Sequence, residues 1–94
     1  MTIAEIVREG HGKAGSNGAW KAETFTTIDG TTVTDLWHYN HRMLSWNRAN
    51  PLDPNYLDYS TGWGSVSDQG GMNQAFRELG IPLYFQRQGG AQIR

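Results

Sequence analysis

The sequence predicts an α+β domain, and three observations lead there. Residues 19–47 are rich in Thr and aromatic side chains in the manner of strands, with Asp29-Gly30 set between two such runs. Met72, Ala75, Phe76 and Leu79 fall at i, i+3, i+4 and i+7, the stripe of a helix that covers a sheet. Ninety-four residues provide for a single domain, residues 1–94. The expected architecture is a small antiparallel β-meander of about five strands with a short N-terminal helix and one amphipathic helix near residues 68–79 on one face.

Each element has a local reason. Thr2 caps a helix over residues 2–9, Glu5 completes a capping box, and Ile3, Ile6 and Val7 share one face before Gly10 ends it. Residues 10–18 are glycine-rich without apolar periodicity and read as a flexible loop. Asp-Gly supports positive φ, so Ile28-Asp29-Gly30-Thr31 reads as a two-residue hairpin turn. The return strand reaches about Tyr39. Asn40-His41 then makes a second tight turn before a third strand, or the second strand runs on through His41 with a bulge. Residues 48–55 hold two prolines and read as loop, and residues 56–59 as a short strand. Ser67 is the expected N-cap of the second helix, with Asp68 in its first turn. Gly80 fits C′ of a Schellman motif that brings Ile81 to Phe76, and Pro82 bars continuation. A last strand from Pro82 to Arg87 and a tail over 88–94 complete the chain.

Composition excludes several function classes. The net charge is −1 and there is no cysteine, which removes disulfide scaffolds and Cys-based zinc modules. Residues 1–47 carry four cations and five anions and residues 48–94 four of each, so neither half is basic enough for strong phosphate binding. No long apolar run is present, and the first ten residues, with Glu5 and Glu9, do not read as a leader; the expectation is a cytoplasmic protein without a membrane role. Trp20, Phe25, Trp37, Trp46 and Phe76 are the expected core rings. The remaining aromatic and Arg residues are read as contact surface for a partner or a second copy, with a homo-oligomer expected because association adds burial to a small domain.

Candidate sites are few. Gly10-His11-Gly12-Lys13-Ala14-Gly15 matches the dinucleotide fingerprint, but that mechanism needs a preceding strand and a following helix, and here a helix precedes. Ala14 also stands where a P-loop needs a hydroxyl. His38 and His41 have H-x-x-H spacing, yet three residues along a strand usually means opposite faces, so no metal site is expected. Ser65, Ser67 and Asp68 lack a later histidine to act as base; no catalytic constellation and no cofactor are expected. Gly64, Ser65, Ser67 and Gly70 at the helix start form an alternative anion or nucleotide-signal site, opposed by Asp68. Trp37, Tyr39, Trp46 and Arg42 form a weaker alternative platform for single-stranded nucleic acid, against which core packing is the preferred reading.

The run Trp63-Gly64-Ser65-x-x-Asp68-Gln69, continuing to Met72-Asn73, the aromatic strand pair before it and the Gly89-Gly90 tail together resemble small proteins encoded by phages of actinobacteria over residues 19–94. The resemblance implies a context and assigns no residue roles. With the small size, the lack of catalytic groups, the few charges and the spare aromatic and Arg surface, the expectation is a non-enzymatic phage accessory protein that binds and blocks a host or defence protein in the bacterial cytoplasm. The expected contact residues are Arg42, Arg48, Tyr59, Trp63 and Arg87.

Overall fold

The computed structural model describes residues 1–60, 66–86 and 90–93. The chain runs α1 (Ile3–Glu9), β1 (Gly12–Ala14), a 3-10 turn (Ser16–Gly18), β2 (Trp20–Thr26), β3 (Thr32–His38), β4 (His41–Asn47), β5 (Asp58–Tyr59), α2 (Val66–Leu79), β6 (Leu83–Gln86) and β7 (Gly90–Ile93). Strands β1 to β5 form one antiparallel sheet in sequence order, and β6 pairs with β7 in a separate hairpin. The fold is α+β, as the sequence predicts.

Both helices cover the same face of the sheet. Antiparallel partners share a face, so the register Trp20↔His38, Ala22↔Leu36, Leu36↔Leu44 and Thr34↔Trp46 assembles one apolar surface. Ile3, Ile6 and Val7 of α1 and Met72, Ala75 and Phe76 of α2 close over it in one core cluster. Trp46 and Phe76 are completely buried, and each contributes about 2–3 kcal/mol through the area it removes from water. The opposite face carries Lys21, Trp37 and Arg42 in one cross-strand row and Glu23, Asp35, Ser45 and Asp58 in the next.

Caps and turns follow local chemistry closely. The Thr2 hydroxyl accepts from the Glu5 amide at 3.1 Å, and the Glu5 carboxylate accepts from the Thr2 amide at 2.9 Å, completing the capping box. Beyond Leu79, Gly80 N–H donates to Arg77 O at 3.2 Å and Ile81 N–H to Phe76 O at 2.9 Å, the two bonds of a Schellman motif. Gly80 sits at φ +70° and Ile81 is buried.

Five local expectations are corrected. Residues 12–14 form β1 against β2, and the 3-10 turn follows, so the glycine-rich stretch contains ordered secondary structure. The Asp29-Gly30 turn has a three-residue loop, because Thr27 N–H donates to Thr31 O at 2.8 Å and Gly30 adopts φ +87°. That geometry is a turn followed by a left-handed residue, which needs glycine as much as the two-residue turn does. The second turn is Tyr39-Asn40, one residue earlier than expected, and a register shift at Leu36/Trp37 absorbs the difference. Helix α2 begins at Val66, which puts Ser67 inside the first turn and removes it from the N-cap. Part of the expected tail is strand β7, paired with β6 through Leu83↔Ile93 and Gln86↔Gly90.

Candidate functional site

A cleft of about 320 Å³ opens where the 3-10 turn, the β3–β4 turn and the first half of α2 meet. Three buried side chains line it, apolar Ile3 and Trp20 and polar His38. Exposed Ser16, Tyr39, Ser67, Gly70 and Gln74 line it towards solvent. Among the described lining residues none is Lys, Arg, Asp or Glu.

His38 is the candidate functional group of this cleft. Its Nδ1 lies 2.5 Å from Asp68 Oδ1, with the two side chains 7% and 2% exposed. An ionised Asp68 carboxylate only accepts, so a neutral ring bonded to it donates its Nδ1 proton and keeps its lone pair on Nε2. Trp20 stacks on the imidazole with centroids 4.2 Å apart and planes 9° from parallel, and Tyr39 tilts against the ring at 4.7 Å. Rotation of the imidazole is thus opposed by a hydrogen bond on its edge and by aromatic neighbours.

Local backbone geometry makes this placement possible. An added Cβ at Gly71 would lie 2.0 Å from Trp20 Cζ2, so glycine lets the helix approach the indole. Tyr39 occupies φ +55°, a left-handed conformation unusual for a bulky residue. Its amide still donates to Ala19 O at 2.7 Å, which ties the turn to the far side of the cleft. A buried ionisable pair is weak support for stability, since a well-packed apolar pair of similar volume is often as stable or more so. Together with a strained neighbour in a cleft, such a pair makes the cleft the candidate site.

The expected site residues separate. Arg42 and Tyr59 come together in a groove of about 260 Å³ along β4 and β5, where Arg42 Nη2 donates to Asp58 Oδ2 at 3.2 Å. Arg48 lies elsewhere and is engaged internally, donating to Arg8 O at 2.9 Å and to Val7 O at 3.4 Å at the end of α1. Ser67 and Gly70 of the anion set line the His38 cleft. Trp63, Arg87, Gly64 and Ser65 lie outside the described residues. The nucleic-acid platform does not form, because Trp46 is buried under the helices and Trp37 belongs to the opposite face.

His38 and His41 are cross-strand partners, contrary to the expectation of opposite faces, because a turn and not a continuous strand separates them. Their nitrogens diverge, His38 to Asp68 and His41 Nε2 to Ser60 Oγ at 2.8 Å. No group of three or more His, Cys, Asp or Glu able to hold a metal occurs among the described residues. No histidine follows Asp68 in the chain, and its partner His38 lies thirty residues before it. Chain order does not constrain such constellations. The available signal was Asp68 itself, a buried acid in the first turn of the helix laid over the sheet that carries His38.

No helix among the described residues is long and apolar enough to cross a membrane. No family model, curated protein or solved structure matches the chain.

Proposed function

We propose that the protein captures a small, uncharged polar ligand in the His38 cleft. The observation that carries this reading is the imidazole held by Asp68 and Trp20 with Nε2 left without a hydrogen bond to any described residue. A fixed acceptor beside apolar Ile3 and Trp20 suits a ligand with one N–H or O–H donor and a planar body, for which exposed Tyr39 offers a stacking surface. The absence of Lys and Arg from the described lining, with Asp68 already in the first helical turn, disfavours phosphate and other strong anions.

Thermal-shift screening with nucleosides and cyclic amides against the matching nucleotides tests the proposal. A neutral ligand at about a hundred times its Kd adds about 2.7 kcal/mol, or roughly 10–20 °C in Tm for a domain of this size. His38→Gln should abolish the shift. Stabilisation by anions alone, or an undiminished shift in His38→Gln, refutes the reading.

A second reading, capture of a host or defence protein by a phage accessory protein in the bacterial cytoplasm, is favoured by one observation. Arg42 and exposed Tyr59 share a groove, and Arg with Tyr is the usual composition of an interface anchor. Loss of a co-purifying protein in Arg42→Glu/Tyr59→Ala, with retention in His38→Gln, is the expected result. Equal recovery by both variants opposes it.

A further inference from the structure

The His38–Asp68 pair is more than a binding group requires. A hydroxyl or amide would serve as a ligand acceptor, at lower desolvation cost than two ionisable side chains at 7% and 2% exposure. What this pair adds is a proton acceptor with a fixed tautomer: the carboxylate holds the proton on Nδ1, keeps the ring oriented, and stabilises the imidazolium that forms when Nε2 takes a second proton. Nε2 belongs to a buried ring that lines a solvent-reached cleft, and no described residue occupies it.

We propose that His38 is a general base positioned by Asp68, and that the protein hydrolyses an uncharged ester held in the cleft. The inference rests on the capture reading and extends it from binding to reaction, with a water molecule at Nε2 in place of a donor on the ligand itself. Nε2 removes a proton from water as the water oxygen adds to the ester carbonyl carbon. The bond from that carbon to the alcohol oxygen then breaks, and the imidazolium returns its proton to the departing alkoxide. Ester and water become acid and alcohol, with His38 and Asp68 regenerated. His38 is the catalytic residue in this scheme and Asp68 a positioning residue, because Asp68 acts only through the ring.

Two measurements on the full chain test it. With 4-nitrophenyl acetate as probe, wild-type hydrolysis should exceed that of His38→Gln by about 10²-fold or more, with circular-dichroism melting confirming that the variant is folded. Mapping of diethyl pyrocarbonate modification by mass spectrometry needs no variant, and His38 should react faster than exposed His11 despite its burial. Asp68→Asn should lower both hydrolysis and His38 modification, since a carboxamide can donate to Nδ1 and leave the proton on Nε2. A merely structural Asp68 would not change the ratio of His38 to His11 modification in a folded variant. Equal hydrolysis by wild type and His38→Gln, or slower modification of His38 than of His11, overturns the proposal. Neutral ligands that bind without turnover overturn hydrolysis and leave capture standing; ligands that bind neither wild type nor variant remove both.

Discussion

Replacing Gly71 by alanine should damage the protein in a way that replacing its neighbour Gly70 does not. Both lie in α2, and on helix propensity alone each Gly→Ala change stabilises by up to about 1 kcal/mol. The surroundings differ sharply. A Cβ at Gly70 meets nothing within 4 Å, whereas at Gly71 it would lie 2.0, 2.4 and 2.6 Å from three atoms of the Trp20 ring. Trp20 is 4% exposed and stacked on His38, so it cannot swing into solvent without breaking the site. Ordinary contact requires the ring or helix to withdraw by roughly 1.4 Å, which places the strain near the upper end of the overpacking range, about 3 kcal/mol. Less the propensity gain, Gly71→Ala should lose about 2 kcal/mol, or roughly 8–16 °C in Tm, while Gly70→Ala gains a few degrees. Circular-dichroism melting of both variants decides the matter. A Gly71→Ala protein as stable as Gly70→Ala would refute the claim that close approach of α2 to Trp20 sets the cleft.

Other outcomes follow from single contacts. Arg48→Met should lose about 1–2 kcal/mol because the end of α1 loses its charged donor, while Arg42→Met, which removes an exposed ion pair, should stay within about 0.5 kcal/mol; equal melting points would contradict this assignment. Tyr39→Gly should relieve about 1 kcal/mol of backbone strain at φ +55° and raise Tm by a few degrees while weakening ligand capture; a lower Tm would show that the ring's packing on His38 outweighs the strain. Asp29 accepts from the Thr27 hydroxyl first, then from the Tyr56 hydroxyl and the Thr31 amide, which holds its carboxyl well below the usual carboxylate range. A depressed carboxyl contributes fully above the unfolded-chain value of about 4 and loses that contribution as pH falls from there towards the folded value. The Tm difference between wild type and Asp29→Asn should therefore shrink below about pH 4, and an ordinary aspartate midpoint for Asp29 by NMR would remove the basis for it.

Caps, turns and the helix stripe are decided by neighbours in the chain. Thr2 with Glu5, Gly80 before Ile81 and the apolar stripe of α2 depend on residues within about seven positions of one another, so their patterns read directly as structure, and the turn at Gly30 was legible in place though not in loop length. Arg42 and Tyr59 were identifiable as surface residues by type alone, although only β4–β5 pairing brings them to one groove. The His38–Asp68 pair was not legible. Thirty residues separate its members, and their meeting depends on the position of the β3–β4 turn, on both helices choosing the same sheet face, and on Gly71 admitting Trp20 beneath α2. A one-residue change in strand register reverses which side chains face the helices, so the alternation that predicts a sheet leaves its chemistry open until the layers pack.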